Sequence, residues 1–96
     1  MEIKVQSIKF DADQKLVDYV NRKVSKLEKF YEDAVGCEVA LSLLPDPANK
    51  NALVRVLIPG TEVVAERNAD TFEEAITECV GILKEKLVSA KEKRYK

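Results

Sequence analysis

The sequence predicts an α+β fold, a two-layer sandwich in the order β-α-β-β-β-α with a four-stranded mixed sheet and both helices on one face. Three observations carry this. Four short stretches alternate or concentrate apolar residues as strands do, two longer ones repeat them at helical spacing, and capping residues open both helical stretches.

MEIKVQSIKF is the first strand: Ile3 and Val5 alternate with Glu2, Lys4 and Gln6. Ile8 and Phe10 fall on the other parity, which predicts a bulge near Ser7. FDADQ opens a helix, with Asp11 as N-cap, Gln14 in capping-box position and Asp13 favoured by the dipole. Leu16, Val20, Val24, Leu27 and Tyr31 form its apolar stripe, and Gly36 is read as its stop. In CEVALSLL, Cys37, Val39, Leu41 and Leu43 share one face, as in a strand buried on one side. PDPANKN is a loop. ALVRVLI follows with Val54, Val56 and Ile58 inward, Pro59-Gly60 suits a type II turn, and EVVAERN returns with Val63 and Ala65 inward.

TFEE opens the second helix, either on Thr71 with Glu74 or on Asp70 with Glu73. Its stripe is Phe72, Ile76, Cys79, Leu83 and Leu87, and Gly81 is read as a close contact. The first two strands flank a helix, so they pair in parallel by a right-handed crossover. The last three form an antiparallel meander. Without the first strand, the order is that of a double-stranded-RNA-binding domain.

Residues 1–96 are read as one domain. No apolar run approaches the roughly 20 residues of a membrane span. The charged, alternating N-terminus is not a signal peptide, so no membrane partner and a cytoplasmic location are expected. There is no histidine, no glycine-rich loop and no metal-type cysteine spacing. Cys37 and Cys79 are read as core residues. Neither catalysis, nor a small-molecule substrate, nor a cofactor is expected. The strands lack exposed aromatics, so any RNA would meet the helices rather than the sheet.

Charge is sorted along both helices. At about 100° per residue, Lys15, Arg22, Lys26 and Lys29 form a row opposite the first stripe, flanked by Lys23. In the second helix Glu74, Glu78, Glu85 and Glu92 form an acidic row. Lys84 and Lys91 lie on the opposite flank, and Lys86, Lys93 and Arg94 crowd the end. Residues 83–96 hold six Lys/Arg against two Glu in a chain of net charge −1. Two readings stand on pattern alone. One is a solvated helix end whose cations complement the dipole; the other is a polyanion-binding ridge.

The stretches FDADQKLVDYVNRKVSKLEKFYE, VRVLIPGTEVVAERNADTFEEAI and LKEKLVSAKEK carry a resemblance that spans the chain. It resembles the ribosome hibernation-promoting factors, short ribosome-associated inhibitors also called sigma-54 modulation proteins. KVSKLEKFY and AERNADTFEEAI are the most diagnostic segments. The resemblance implies a cytoplasmic, non-catalytic translation inhibitor. It would bind the small ribosomal subunit between head and body, in the channel of messenger and transfer RNA, with basic residues of both helices on ribosomal RNA. Lys23, Lys26 and Lys29 match basic positions of the family's first helix, and Lys91 and Lys93 match positions near the end of the second. Ile82, Glu85 and Ser89 stand where the family is often basic, and Lys84 and Lys86 are basic where it commonly is not. Long members add a C-terminal domain; a chain ending at Lys96 is expected to be a short form.

Pattern and resemblance together nominate Arg22, Lys23, Lys26, Lys29, Lys84, Lys86, Lys91, Lys93 and Arg94 as RNA-contacting residues of a monomer. The alternative is a protein-interaction module, without RNA, that regulates a sigma factor or another partner. It would use an open sheet face of Arg55, Leu57, Val64 and Arg67. Generic binding of duplex RNA is a third reading.

Overall fold

The computed structural model describes residues 1–45 and 47–94. Asp46 of the PDPANKN loop, Tyr95, Lys96 and the side chain of Arg94 lie outside the described residues. The elements are β1 (Glu2–Ile8), α1 (Gln14–Ser25), a 3₁₀ turn (Lys26–Phe30), β2 (Gly36–Leu43), β3 (Lys50–Ile58), β4 (Thr61–Ala69) and α2 (Phe72–Arg94). The sheet runs in the order β1-β2-β3-β4. β1 pairs with β2 in parallel, from Glu2 opposite Gly36 to Ile8 opposite Ser42. β2–β3 and β3–β4 are antiparallel. The α+β sandwich expected from the sequence is the one observed.

β1 holds its register without a bulge. Ser7 keeps the inward parity, and Ile8 points outward, 40 % exposed. The chain then reverses at Lys9, whose φ of 64° lies in the left-handed region. That reversal brings Phe10 back to stack on Phe72, with ring centroids 5.0 Å apart. The apparent phase slip in the sequence is therefore the end of the strand.

α1 starts two residues later than expected. Asp13, not Asp11, is the N-cap: its Oδ1 accepts from Leu16 N–H at 2.8 Å. The α geometry ends at Ser25, and Lys26–Phe30 tighten into 3₁₀. Gly36 is not the stop; it is the first residue of β2. A Cβ there would lie 3.2 Å from the Glu2 carbonyl oxygen, so glycine lets β1 approach.

Pro59-Gly60 closes the β3–β4 hairpin. Gly60 has φ 86°, the positive value that a type II turn needs at its third position. Proline at the second position rules out the primed turns, which need positive φ there. Thr71 is the cap of α2, since its Oγ1 accepts from Glu74 N–H at 3.1 Å. Gly81 does not mark a close contact: among the described residues, nothing lies within 4 Å of where its Cβ would be.

The core fills the space between the sheet and the two helices. Val20, Val24 and Leu27 come from the first helical segment, Val39, Leu41, Val54 and Val56 from the sheet, and Ile76, Cys79, Leu83 and Leu87 from α2. Each large aliphatic side chain buried here contributes about 1.5–3 kcal/mol relative to exposure. Leu43 keeps the inward parity but lies past the helices, 47 % exposed.

The other sheet face is mixed: Leu53, Leu57 and Val64 lie on it among polar residues, several of which engage one another. Arg55 reaches Glu38 at 3.5 Å and Glu62 at 3.4 Å. Asn51, 7 % exposed, donates to Glu66 and Asn68 and accepts from Ser42. Arg67 is not on this face. It pairs with Ala52, a core position, and so shares the helix side of the sheet.

Candidate nucleic-acid interface

The two helices run in the same direction. Phe10 stacks on Phe72, Tyr19 meets Thr77, and Phe30 meets Lys84, so contacts advance together along both segments. Their C-terminal ends therefore share one end of the molecule. Cations are favoured there by both dipoles, and most of the nominated residues lie toward it.

Aromatic rings seat three of them. Arg22 Cζ and Lys23 Nζ lie 5.7 Å and 5.6 Å from the Tyr19 ring centroid. Lys84 Nζ lies 5.3 Å from the Phe30 centroid. These are cation–π distances, which limit the wandering of long side chains without neutralising them. Tyr19 is itself held across the helix seam by Thr77, 3.0 Å from its hydroxyl.

The sequence missed these supports. The Tyr19 seat was legible in principle, because Arg22 and Lys23 follow it by three and four residues on a helix. Phe30 and Lys84 lie far apart in sequence, and only the tertiary fold joins them.

Lys26 and Lys29 occupy the 3₁₀ turn. The count of 100° per residue that aligned them with Lys15 and Arg22 stops at Ser25. Lys84 connects this turn to α2 through Phe30. Lys86 is directed to the other flank, where its Nζ donates to the Val64 carbonyl of β4 at 2.8 Å. Lys91 is half-buried and Lys93 exposed on the last turns of α2. Arg94 closes that helix.

The opposite end is acidic. An open cleft of about 540 Å³ is lined by Asp11, Asp13 and Glu73 together with Lys15, Tyr19 and Arg22. A second, of about 530 Å³, is lined by Asp70, Glu73, Glu74 and Glu78. Carboxylates thus concentrate near the helix N-termini and cations toward the C-termini, although the whole chain is −1.

The two thiols are structural. Burial, with Glu38 adding to it, pushes Cys37 up to about 12. Burial pushes Cys79 up to about 11, although Arg67 works against it. Neither supplies a thiolate nucleophile near neutral pH. Among the described residues, no group of three His, Cys, Asp or Glu is placed to hold a metal. No helix among them is long and apolar enough to cross a membrane.

A mixed four-stranded sheet under two parallel helices, with cations gathered at the helix C-termini, defines a class: an α+β sandwich of the double-stranded-RNA-binding-domain type with a cationic helix end. Within it, the chain belongs to the sigma-54 modulation protein / S30EA ribosomal protein family, whose family model matches residues 3–95. The family is one of ribosome-associated hibernation factors. Among solved structures, the N-terminal domain of Protein Y from Thermus thermophilus is similar at a TM-score of 0.81 and 24 % identity, covering 93 % of this chain and 98 % of that one. A ribosomal subunit interface protein from Coxiella burnetii is similar at a TM-score of 0.85 and 15 % identity, covering 96 % and 99 %. At these identities they speak for the fold. No curated protein matches by sequence.

Proposed function

We propose that this protein inhibits translation in the cytoplasm by occupying the messenger and transfer RNA channel of the small ribosomal subunit. Its Lys/Arg residues at the helix C-terminal end would contact ribosomal RNA phosphates, and it would act as a monomer by steric exclusion, without catalysis. Family membership supports the ribosome as partner. The observation that carries the rest is the Lys84 ammonium over the Phe30 ring, 5.3 Å from its centroid. It joins the basic flank of α2 to the 3₁₀ turn of Lys26 and Lys29, so two segments distant in sequence form one cationic surface.

The contact set we assign is Lys23, Lys26 and Lys29 with Lys84, Lys91 and Lys93; Arg22 flanks it, and Arg94 extends the same helix end. A protein-interaction module would use the sheet's outer face, but Arg55 there is already engaged by Glu38 and Glu62. Co-sedimentation with ribosomes tests the proposal. Binding is expected to weaken with salt, each phosphate contact adding roughly 0.7–0.9 to the slope of log affinity on log salt. Binding insensitive to Lys26→Glu with Lys29→Glu would overturn it.

A further inference from the structure

Among the described residues β4 is a free edge, paired with β3 alone. Ile58 and Thr61 close a two-residue loop, so they form a hydrogen-bonded pair. Alternate pairs down the ladder then turn the backbone groups of Glu62, Val64, Glu66 and Asn68 away from β3. Such a row is a template for another strand, and a second copy of this chain always supplies one. In the two-fold pairing centred on Val64, that residue meets its own counterpart.

The two central carbonyls of this row are occupied by cations. Lys86 Nζ donates to the Val64 carbonyl at 2.8 Å, from a helix below the sheet. Arg67 Nη1 donates to the Glu66 carbonyl at 3.4 Å, from within β4 itself. The same two-fold pairing would also set Glu62 opposite the partner copy's Glu66, and like charges directly opposite oppose pairing.

We propose that the β4 edge is a strand-pairing surface for a second copy of this chain, and that Lys86 and Arg67 hold it shut. Lys86 is then an edge guard, and its charge is spent on β4 rather than on RNA. This follows from the sheet alone and does not depend on the ribosome reading.

The test is Lys86→Ala with Arg67→Ala, with folding checked by circular dichroism. The variant is expected to shift from monomer toward dimer in sedimentation equilibrium. The shift should grow with salt, which screens the glutamate repulsion, while ribosome binding falls with salt. Amides of Glu62, Val64, Glu66 and Asn68 should gain hydrogen-exchange protection in the dimer. A folded variant that stays monomeric at high salt overturns the proposal, as does a dimer whose β4 amides stay unprotected. Lys86→Ala alone is expected to leave the salt slope of ribosome binding unchanged; losing a full contact's worth of slope would return Lys86 to the RNA surface and overturn its role as guard.

Discussion

The Tyr19 hydroxyl donates to Thr77 Oγ1 across the seam between the helices, 3.0 Å away. The direction is fixed by Thr77, whose own proton goes to the Glu73 carbonyl at 2.8 Å. One side-chain bond therefore ties α1, at the base of its cationic cluster, to the first turns of α2. Tyr19→Phe removes the bond and leaves the ring that seats Arg22 and Lys23. It is expected to cost roughly 0.5–1 kcal/mol, the net worth of a partly solvated hydrogen bond. Urea unfolding of Tyr19→Phe, Thr77→Ala and the pair should show coupling; additive losses would refute a direct bond.

Lys26→Ala and Lys29→Ala are each expected to lower the salt slope of ribosome binding by roughly 0.7–0.9. Folding stability should barely change, because both side chains are exposed. Phe30→Leu is expected to weaken binding less, by freeing Lys84 from its seat while keeping its charge. Equal salt slopes across all three variants and the parent would count against a phosphate-facing turn.

Asp13→Ala is expected to destabilise by about 1 kcal/mol through loss of the cap on Leu16 N–H. Asp11→Ala should change stability by no more than about 0.5 kcal/mol, as an exposed position outside the cap. Thermal unfolding separates the two, and a larger loss at Asp11 would contradict the observed cap.

Gly81→Ala is expected to stabilise. Open space surrounds the added methyl and the backbone is already helical, so the gain is about 0.5–1 kcal/mol. For a chain of this size that is a rise of a few degrees in Tm. A fall in Tm would mean that this flank of α2 is covered in solution.

Stability should decline at alkaline pH. Both thiols have folded pKa values raised above the ordinary 9.0, Cys37 to about 12 and Cys79 to about 11. As pH rises past 9, the unfolded chain gives up these protons first, so the folded state loses ground until the folded thiols also ionise. The alkaline decline should be shallower in Cys37→Ala with Cys79→Ala than in the parent, whatever their difference at neutral pH. Parallel stability–pH curves would show the thiols take no part.

The element order was legible because each element writes its period plainly. The α2 stripe from Phe72 to Leu87 is buried as its spacing demands, and Val54, Val56 and Ile58 face inward as alternation requires. What misled was local chemistry shared by two outcomes. Asp11 and Asp13 are both suited to capping by composition, and only the bond from Leu16 N–H to Asp13 Oδ1 tells them apart. Gly36 serves equally as a helix stop or as the place where another backbone comes close. The KLEKF segment is made of good helix formers, and nothing in it announces 3₁₀ geometry. At the candidate site, the lysines were legible as charges but their directions were not. Lys84 and Lys86 are two residues apart, and a helix sends them to opposite flanks.

The tightened turn has one more consequence. With three residues per turn, Lys26 and Lys29 stand nearly eclipsed, about 6 Å apart along the axis. An α-helix would have splayed them around its circumference by about 60°. The backbone thus sets two ammonium roots in file at a fixed interval before any rotamer is chosen. A repeating polyanion can meet that pair in register, one charge after the next, whereas a diffuse cloud of lysines offers it no such alignment.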